Sequence, residues 1–386
     1  MGLERVQRLL SLLGDPQERL RTVQVVGTNG KGTTAVALAS CLSAMDQPAG
    51  AYLSPHVLSY TERVMVGGEY VSEEQFARAM GATISAADRH GVPASQFELL
   101  TAGAIKLLAD EGLAWAVLEA GLGARHDATT GARPGAVVLT NVGLDHAEYL
   151  GGTIEEISRE KLASVAPGSL LIVGTRDPTV LRVARDRCAE VGASLVEAGS
   201  DGPGPLSSKV PPFVLQDAAL GMRAAGELLG RELDGTAKER VIRDVAGMLP
   251  GRFESYEVDG VPVMVDGGHN VSGVGAALEA VGQAHGGKPL AVVFGVLRGK
   301  DARSMLTALS AAARTVVLTR AEGDRAAEPE ELLEGRRDTE GNETLVEEDP
   351  VRAVRLAIRG VRGGVVLVVG SFQTAAPVLR WLREQG

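Results

Sequence analysis

The chain has 386 residues, 45% hydrophobic and 23% charged, and its 49 acidic against 39 basic side chains leave a formal net charge of −10. That balance excludes a disordered chain or a collagen-like fibre and argues against a whole-surface grip on nucleic acid or anionic membrane, while leaving room for a local basic pocket. Two cysteines make no disulfide framework. The polar start with Glu4, Arg5, Gln7 and Arg8 is no signal-peptide core, and the apolar stretches are strand-sized, so a reducing cytoplasm and no membrane partner are expected.

At about 150 residues per domain the length suggests two or three domains. Aromatic residues are only 3%, against 49 glycines. A core of Val, Leu and Ala suits parallel strands covered by close-packed helices. In chain order, Thr22 to Val26 is a buried strand, Gly27 to Thr33 a glycine loop, and Thr34 to Met45 an Ala/Leu helix. Ala49 to Leu53 is the next strand, and Ser72 to His90 and Ser95 to Glu111 are helices. Ala114 to Glu119 and Gly135 to Asn141 are strands, the second followed by a loop from Val142 to Leu150. Thr153 to Ala166 is a helix, Ser169 to Val173 a strand and Pro178 to Gly192 a helix. Gly199 to Pro212 is a loop rich in Gly, Pro and Ser, and Leu215 to Leu249 is helical with breaks.

Pro250-Gly-Arg-Phe253 marks a boundary, after which strands restart at Glu254 to Val258, Pro262 to Asp266, Leu290 to Phe294, Arg314 to Leu318 and Gly364 to Gly370. Ala321 to Glu347 is charged and is expected to be a solvated face with loops. The predicted class is α/β, with residues 1–250 as a nucleotide-binding domain and residues 251–386 as a smaller α/β domain.

Gly27-Thr-Asn-Gly-Lys-Gly-Thr33 is the sharpest local signal. Glycines let backbone N–H groups turn toward phosphate oxygens, the following helix start adds its positive end, and Lys31 can reach the outer phosphates. An extra glycine after the lysine and a shorter loop separate it from the ordinary Walker A spacing. A dinucleotide fingerprint is disfavoured: the Gly-x-Gly within Glu119-Ala-Gly-Leu-Gly-Ala-Arg-His-Asp127 has His126 where the third glycine belongs.

Polar clusters fall at strand ends, where open parallel sheets bind ligands. Ser54 and His56 follow Leu53, Glu119 ends its strand, and Asp145 and His146 follow Asn141. Glu119 suits Mg²⁺, and His146 is a less usual ligand. Asp266-Gly-Gly-His-Asn270 is a comparable cluster in the second domain, where Asp266 suits a ribose and His269 and Asn270 a ligand in a cleft between domains. Arg252 is expected to point into the same cleft. Taken alone, Lys161 is an ordinary solvent-facing helix lysine.

Together these stretches resemble the folylpolyglutamate synthase and dihydrofolate synthase family of the Mur ligase superfamily. The resemblance runs through Gly2-Leu-Glu-Arg5, Leu13-Gly-Asp-Pro16, Val26 to Thr33, Ser54-Pro-His56, Glu62-Arg63, Phe97-Glu98 and Thr101. It continues through Glu119 to Thr129, Thr140 to His146, Leu150-Gly151, Glu160-Lys161, Pro250 to Glu254, Asp266 to Asn270, Lys300-Asp301 and Gly370-Ser371. It implies a Mur-ligase-like central domain, a Rossmann-like carboxyl-terminal domain, and ATP-dependent addition of L-glutamate to a folate or dihydropteroate-type carboxylate through an acyl phosphate.

The resemblance further implies that Thr28, Asn29, Gly30, Lys31, Gly32 and Thr33 hold ATP together with Arg252, Asn270 and, at the ribose, Asp266. Ser54, Glu119 and His146 hold Mg²⁺, and Lys31, Glu119, His146 and Lys161 carry the catalysis. Lys161 is the lysine carbamylated in this family, a monovalent cation is allowed beside Mg²⁺, and His269 and Ser371 lie on the glutamate side. A monomer is expected. The chain is short for the family. Ala120, Ala124, His126, Thr130, Gly268 and Val271 stand where valine, glycine, leucine, asparagine, alanine and proline are usual. These departures bear on the folate side, so a related ligase acting on a non-folate carboxylate is the alternative, and a nucleotide-gated binding protein the reading from another class.

Overall fold

A computed structural model describes residues 2–199, 210–333 and 343–385. The chain divides into two compact units, Met1–Leu249 and Pro250–Gly386. The expected loop from Gly199 to Pro212 lies mostly outside the described residues.

Among the described residues, the first unit is built on an eight-stranded sheet. Its strands are β1 (Arg21–Val26), β2 (Ala49–Tyr52), β3 (Val64–Val66), β4 (Glu69–Tyr70), β5 (Trp115–Glu119), β6 (Ala136–Leu139), β7 (Leu170–Val173) and β8 (Ser194–Glu197). They lie in the order β4-β3-β2-β5-β1-β6-β7-β8. Every pairing from β2 to β8 is parallel, and the β2–β3 and β3–β4 pairings are antiparallel, so β3 runs against the other strands. The chain leaves β1 toward β2 on one side and later crosses to β6 on the other. The carboxyl end of β1 is therefore a topological switch point, where such sheets bind ligands.

Alternation along the strands supplies both faces. Val23 and Val25 of β1 and Val117 of β5 pack under helices Lys31–Ala44, Pro212–Leu229 and Gly235–Gly247. Tyr52 and Leu118 pack under Glu4–Leu12, Glu73–Arg89 and Gln96–Asp110. Helix Lys31–Ala44 buries Gly32 through Leu42, which small side chains make feasible. Sequence-legible capping boxes start three helices: Ser72 with Gln75, Ser95 with Glu98, and Thr153 with Glu156.

Three sequence expectations change. The glycine loop is shorter than Gly27 to Thr33, because the helix begins at Lys31. The helix expected to reach Ala166 ends at Lys161. Within the charged stretch from Ala321 to Glu347, helix Pro329–Leu333 and strand Glu343–Val346 appear. Strand formation there follows the parallel pairing of Leu345 with Val317, which the charge pattern hides.

The second unit adds β9 (Glu254–Val258), β10 (Val261–Val265), β11 (Leu290–Phe294), β12 (Thr315–Leu318), β13 (Glu343–Val346) and β14 (Val365–Val369), in the order β13-β12-β11-β14-β10-β9. Among these described strands, only β9 is antiparallel to its neighbour. β11 and β14 are buried throughout, as strands with both faces covered must be.

Candidate functional site

The first unit gathers its polar groups around the end of β1. Gly27 has φ +152°, and a Cβ there would lie 1.9 Å from Thr140 Oγ1. Only glycine lets the chain pass this close to the end of β6. Thr28 N donates to Asn141 O at 2.9 Å, and Asn29 N to Asn141 Oδ1 at 3.1 Å. Thr140 Oγ1 and Asn141 Nδ2 donate back to Asn29 O, at 2.7 and 3.1 Å. Thr28 Oγ1 accepts from Gly143 N at 2.9 Å. The side chain of Thr28 and the amides of Thr28 and Asn29 thus tie the loop to β6, a framing task that sequence reasoning did not separate from ligand contact.

The helix opens at Lys31, so Gly30, Lys31, Gly32 and Thr33 form its first turn, where backbone N–H groups lack intrahelical acceptors. Lys31 Nζ donates to Thr28 O at 3.2 Å, curling the amine over the loop. Thr33 is buried. Thr34 Oγ1 donates to the Asp217 carbonyl at 3.1 Å. Asp217 itself lies against Gly30, a neighbour that sequence spacing gave no means of finding.

Glu119 closes β5 opposite Val25 of β1 and is 3% exposed. Its Oε2 accepts from Ser54 N at 2.8 Å and lies 3.3 Å from where a Cβ on Gly32 would be. A carboxylate and a hydroxyl residue therefore meet at the phosphate loop. His146 has φ +52°, precedes the short helix Ala147–Leu150, and takes Asp145 Oδ1 on its backbone N–H at 2.9 Å. Among the described residues, no three His, Cys, Asp or Glu side chains form a metal-binding group. Ser54, Glu119 and His146 include only two side chains of those kinds.

Lys161 overturns its solvent-facing expectation. It is 5% exposed at the end of helix Ile154–Lys161, and its Nζ donates to Gly27 O at 2.7 Å. Burial first, and then the charge of Lys31, bring the amine down to about 7, against the opposing pull of Asp145 and Asp127. Glu160 points elsewhere, pairing with Arg125 at 2.9 Å.

Two constellations escaped the sequence reading. Asp127 is buried and accepts from Gly121 N, Leu122 N and Thr129 N at 2.8, 3.0 and 3.0 Å, fixing the segment after Glu119. Burial pushes its carboxyl up against those bonds. Glu62 accepts from the backbone N–H groups of Val57, Leu58 and Ser59 at 2.7, 3.0 and 2.9 Å. Arg63 Nε donates to His56 Nδ1 at 2.8 Å. Burial, then the Arg63 charge, push His56 down to about 4. The acidic-basic pair Glu62-Arg63 was the available signal, but a dipeptide does not reveal that both side chains turn inward.

The second unit has its own cluster beyond β10, β11 and β14. Asp266 is buried, and it accepts from Gly268 N at 2.7 Å and Phe253 N at 3.0 Å. Burial raises its carboxyl, with Arg252 and the two backbone donors acting against the rise. Asn270 caps helix Val271–His285, its Oδ1 accepting from Gly273 N at 2.8 Å. His269 Nδ1 lies 3.0 Å from Gly267 O. Ser371 is buried, and its hydroxyl donates to Gly295 O at 3.2 Å and accepts from Thr374 N at 3.1 Å. Asp266, Asn270 and Ser371 therefore all shape backbone turns, and Arg252 and His269 present the cluster's less enclosed side chains.

Residues 25–199 match the Mur ligase middle domain, and residues 251–372 match the Mur ligase, glutamate ligase domain. The dihydrofolate synthase/folylpolyglutamate synthase of Escherichia coli (strain K12) is 32% identical over 400 residues, covering 98% of this chain and 90% of that protein. The solved structure of E. coli FolC in complex with DHPP and ADP is similar at a TM-score of 0.86 and 30% identity, covering 100% of this chain and 94% of that one. A bifunctional folylpolyglutamate synthase/dihydrofolate synthase with Mn, AMPPNP and L-glutamate bound is similar at 0.86 and 29%, covering 99% and 94%.

Proposed function

This chain belongs to the folylpolyglutamate synthase and dihydrofolate synthase family, and from that premise we propose that it is an ATP-dependent ligase joining L-glutamate to the carboxylate of a folate-type acceptor. One observation carries the reading furthest. A buried amine, Lys161, sits on the carbonyl of the phosphate-loop glycine Gly27, in the field of Lys31. A binder of nucleotide alone has no need of a near-neutral lysine at that point.

A carboxylate resists amine attack because its leaving group would be oxide. Transfer of the ATP γ-phosphoryl group to one carboxylate oxygen gives an acyl phosphate. The glutamate amine then attacks the carbonyl carbon, the C–O bond to phosphate breaks, and inorganic phosphate leaves while the amine gives up its proton. Lys31 meets the negative charge that builds during phosphoryl transfer. The first turn of helix Lys31–Ala44 aims its N–H groups at the phosphates. Glu119 and Ser54 are hard oxygen donors of the kind Mg²⁺ takes, and with His146 they would hold it. When bound, Mg²⁺ offsets phosphate charge.

Lys161 is the carbamylation site in this reading. An amine near neutrality holds enough of its unprotonated form at physiological pH to attack CO₂. The carbamate keeps one N–H, which can remain on Gly27 O, while its new carboxylate brings a negative charge toward Lys31 and the metal. A monovalent cation beside that carboxylate belongs to the same proposal. Residues 1–250 carry nucleotide and metal, and residues 251–386 supply Arg252 and Asn270 to ATP, Asp266 to its ribose side, and His269 and Ser371 to glutamate. The last two differ: Ser371 acts by shaping its turn, and His269 by its ring. ATP use and two buried free cysteines, Cys41 and Cys188, fit a cytoplasmic enzyme. Separately, no described helix is long and apolar enough to cross a membrane.

Purified protein with ATP, Mg²⁺, L-glutamate and either dihydropteroate, dihydrofolate or tetrahydrofolate tests the proposal. Phosphate release matched by an acceptor heavier by one glutamate supports it and identifies the acceptor. ATP hydrolysis with no glutamylated product from any of the three would overturn the folate assignment.

A further inference from the structure

Phe372 opens helix Phe372–Gln385 immediately after Ser371 and is 7% exposed. Its ring is the meeting point of the second unit's cluster. The Arg252 guanidinium carbon lies 4.4 Å from the ring centroid, inside the range in which a cation is held by an aromatic face. The His269 ring is centred 6.2 Å away and tilted by 49°, an ordinary aromatic pairing distance. The backbone closes around the same ring. A Cβ on Gly267 would fall 2.2 Å from Phe372 Cε1, and one on Gly251 would fall 3.4 Å from Cδ1. Gly267 and Gly251 are themselves joined, Gly267 N donating to Gly251 O at 2.7 Å.

The ring is therefore wedged against two loop backbones, and the Ser371 hydroxyl pins the turn that carries it. A long arginine side chain ordinarily samples many rotamers, and fixing one of them on ligand binding weakens binding. An arginine already laid across a fixed ring has lost that freedom beforehand. We propose that Phe372 is a positioning residue that presets Arg252 for the nucleotide and His269 for glutamate, so that one buried ring governs affinity for two of the three substrates. This rests on the assignments made under the proposed function. The ring touches no reacting atom, so it acts on binding in ground and transition states alike and moves KM rather than kcat.

The test is steady-state kinetics and calorimetric Tm for the parent protein, Phe372→Leu, Arg252→Ala and the double variant. Leucine keeps an apolar side chain in the wedge and removes the aromatic face. Phe372→Leu is expected to raise KM for ATP and for glutamate by about fivefold to tenfold each, with kcat and acceptor KM within about twofold. Arg252→Ala is expected to raise the ATP KM, and adding Phe372→Leu to it should raise that KM no further, because the ring works through the arginine. Parental KM values in Phe372→Leu, or fully additive effects in the double variant, would overturn the proposal and leave the ring a packing group. A parental ATP KM in Arg252→Ala would instead remove the nucleotide assignment of Arg252, and the proposal with it. Should Phe372→Leu unfold, Phe372→Met answers the same question.

Discussion

Lys161 and Gly27 stand 134 residues apart in the chain, and the amine of one donates to the carbonyl of the other at 2.7 Å. The bond joins the end of a helix to the first residue of the phosphate loop, so the nitrogen expected to carry the carbamate is already aimed. Lys161→Ala should lose most turnover, and acetate or formate should restore part of it by filling the vacated anion position. Glu160→Gln should change kcat little, because Glu160 faces Arg125. Kinetics of both variants with and without added carboxylate decide this. Unchanged kcat in Lys161→Ala would take the residue out of the mechanism.

The same burial makes a stability prediction with a definite sign. The folded-state value of Lys161 is about 7 against an ordinary 10.5, with burial the main cause. Below the lower value both folded and unfolded chains hold the proton, and the folded chain bears the whole penalty of an enclosed charge. Between the two values the unfolded chain holds a proton that the folded chain has released, so this group's contribution to stability rises with pH. Lys161→Met should therefore raise Tm most at about pH 6, and the gain should fade toward about pH 10. A Tm difference that stays flat over that range would show that the amine is not depressed. The measurement should be made without bicarbonate.

Lys31→Ala should leave the fold intact and lower kcat by about 10²- to 10³-fold, the usual scale for removing one charge-stabilising donor. Lys31 sits at the first helical position and buries no core surface. Circular dichroism with single-turnover kinetics checks both halves. A kcat near the parent's would mean that another group meets the phosphoryl charge.

Glu119→Gln separates metal binding from framework. The glutamine carbonyl can still accept from Ser54 N, so Tm should hold, but the negative charge is gone. The Mg²⁺ concentration for half-maximal rate should rise by about tenfold or more. A parental Mg²⁺ requirement would exclude Glu119 as a ligand.

Glu62→Ala should destabilise the first unit by about 1–3 kcal/mol, because three backbone N–H groups lose their acceptor. Urea denaturation gives the magnitude. Hydrogen exchange at Val57, Leu58 and Ser59 gives the location, and unchanged protection there would show that other acceptors suffice.

Much of this framework was legible beforehand, for identifiable reasons. β1, β5 and β6 announce themselves as short runs of Val, Leu and Ala, and Ser72, Ser95 and Thr153 mark their helices by a reciprocal partner three residues on. Glu119 was legible because it ends such a run. What stayed hidden depends on distance in sequence. Lys161 has no local mark, since its burial comes from Gly27 across the sheet end. Asp217 meets Gly30 only when two helices pack. β13 carries charged flanks and becomes a strand by pairing with β12. Phe372 looks like any apolar residue at a helix start, and its neighbours come from segments more than a hundred residues earlier.

The parallel arrangement of β1, β2, β5 and β6 divides the first unit into a working rim and an idle one. Glu119 closes β5, and Gly27, Ser54 and His146 follow the carboxyl ends of β1, β2 and β6. The opposite rim is where the chain turns back through Glu111-Gly112 and Pro167-Gly168, both exposed, and added atoms at either glycine would meet nothing within 4 Å. New termini, a reporter peptide or a surface anchor placed there would stand a full strand length from the chemistry. A circularly permuted form of this ligase should be opened at one of those two turns, and an immobilised form anchored there.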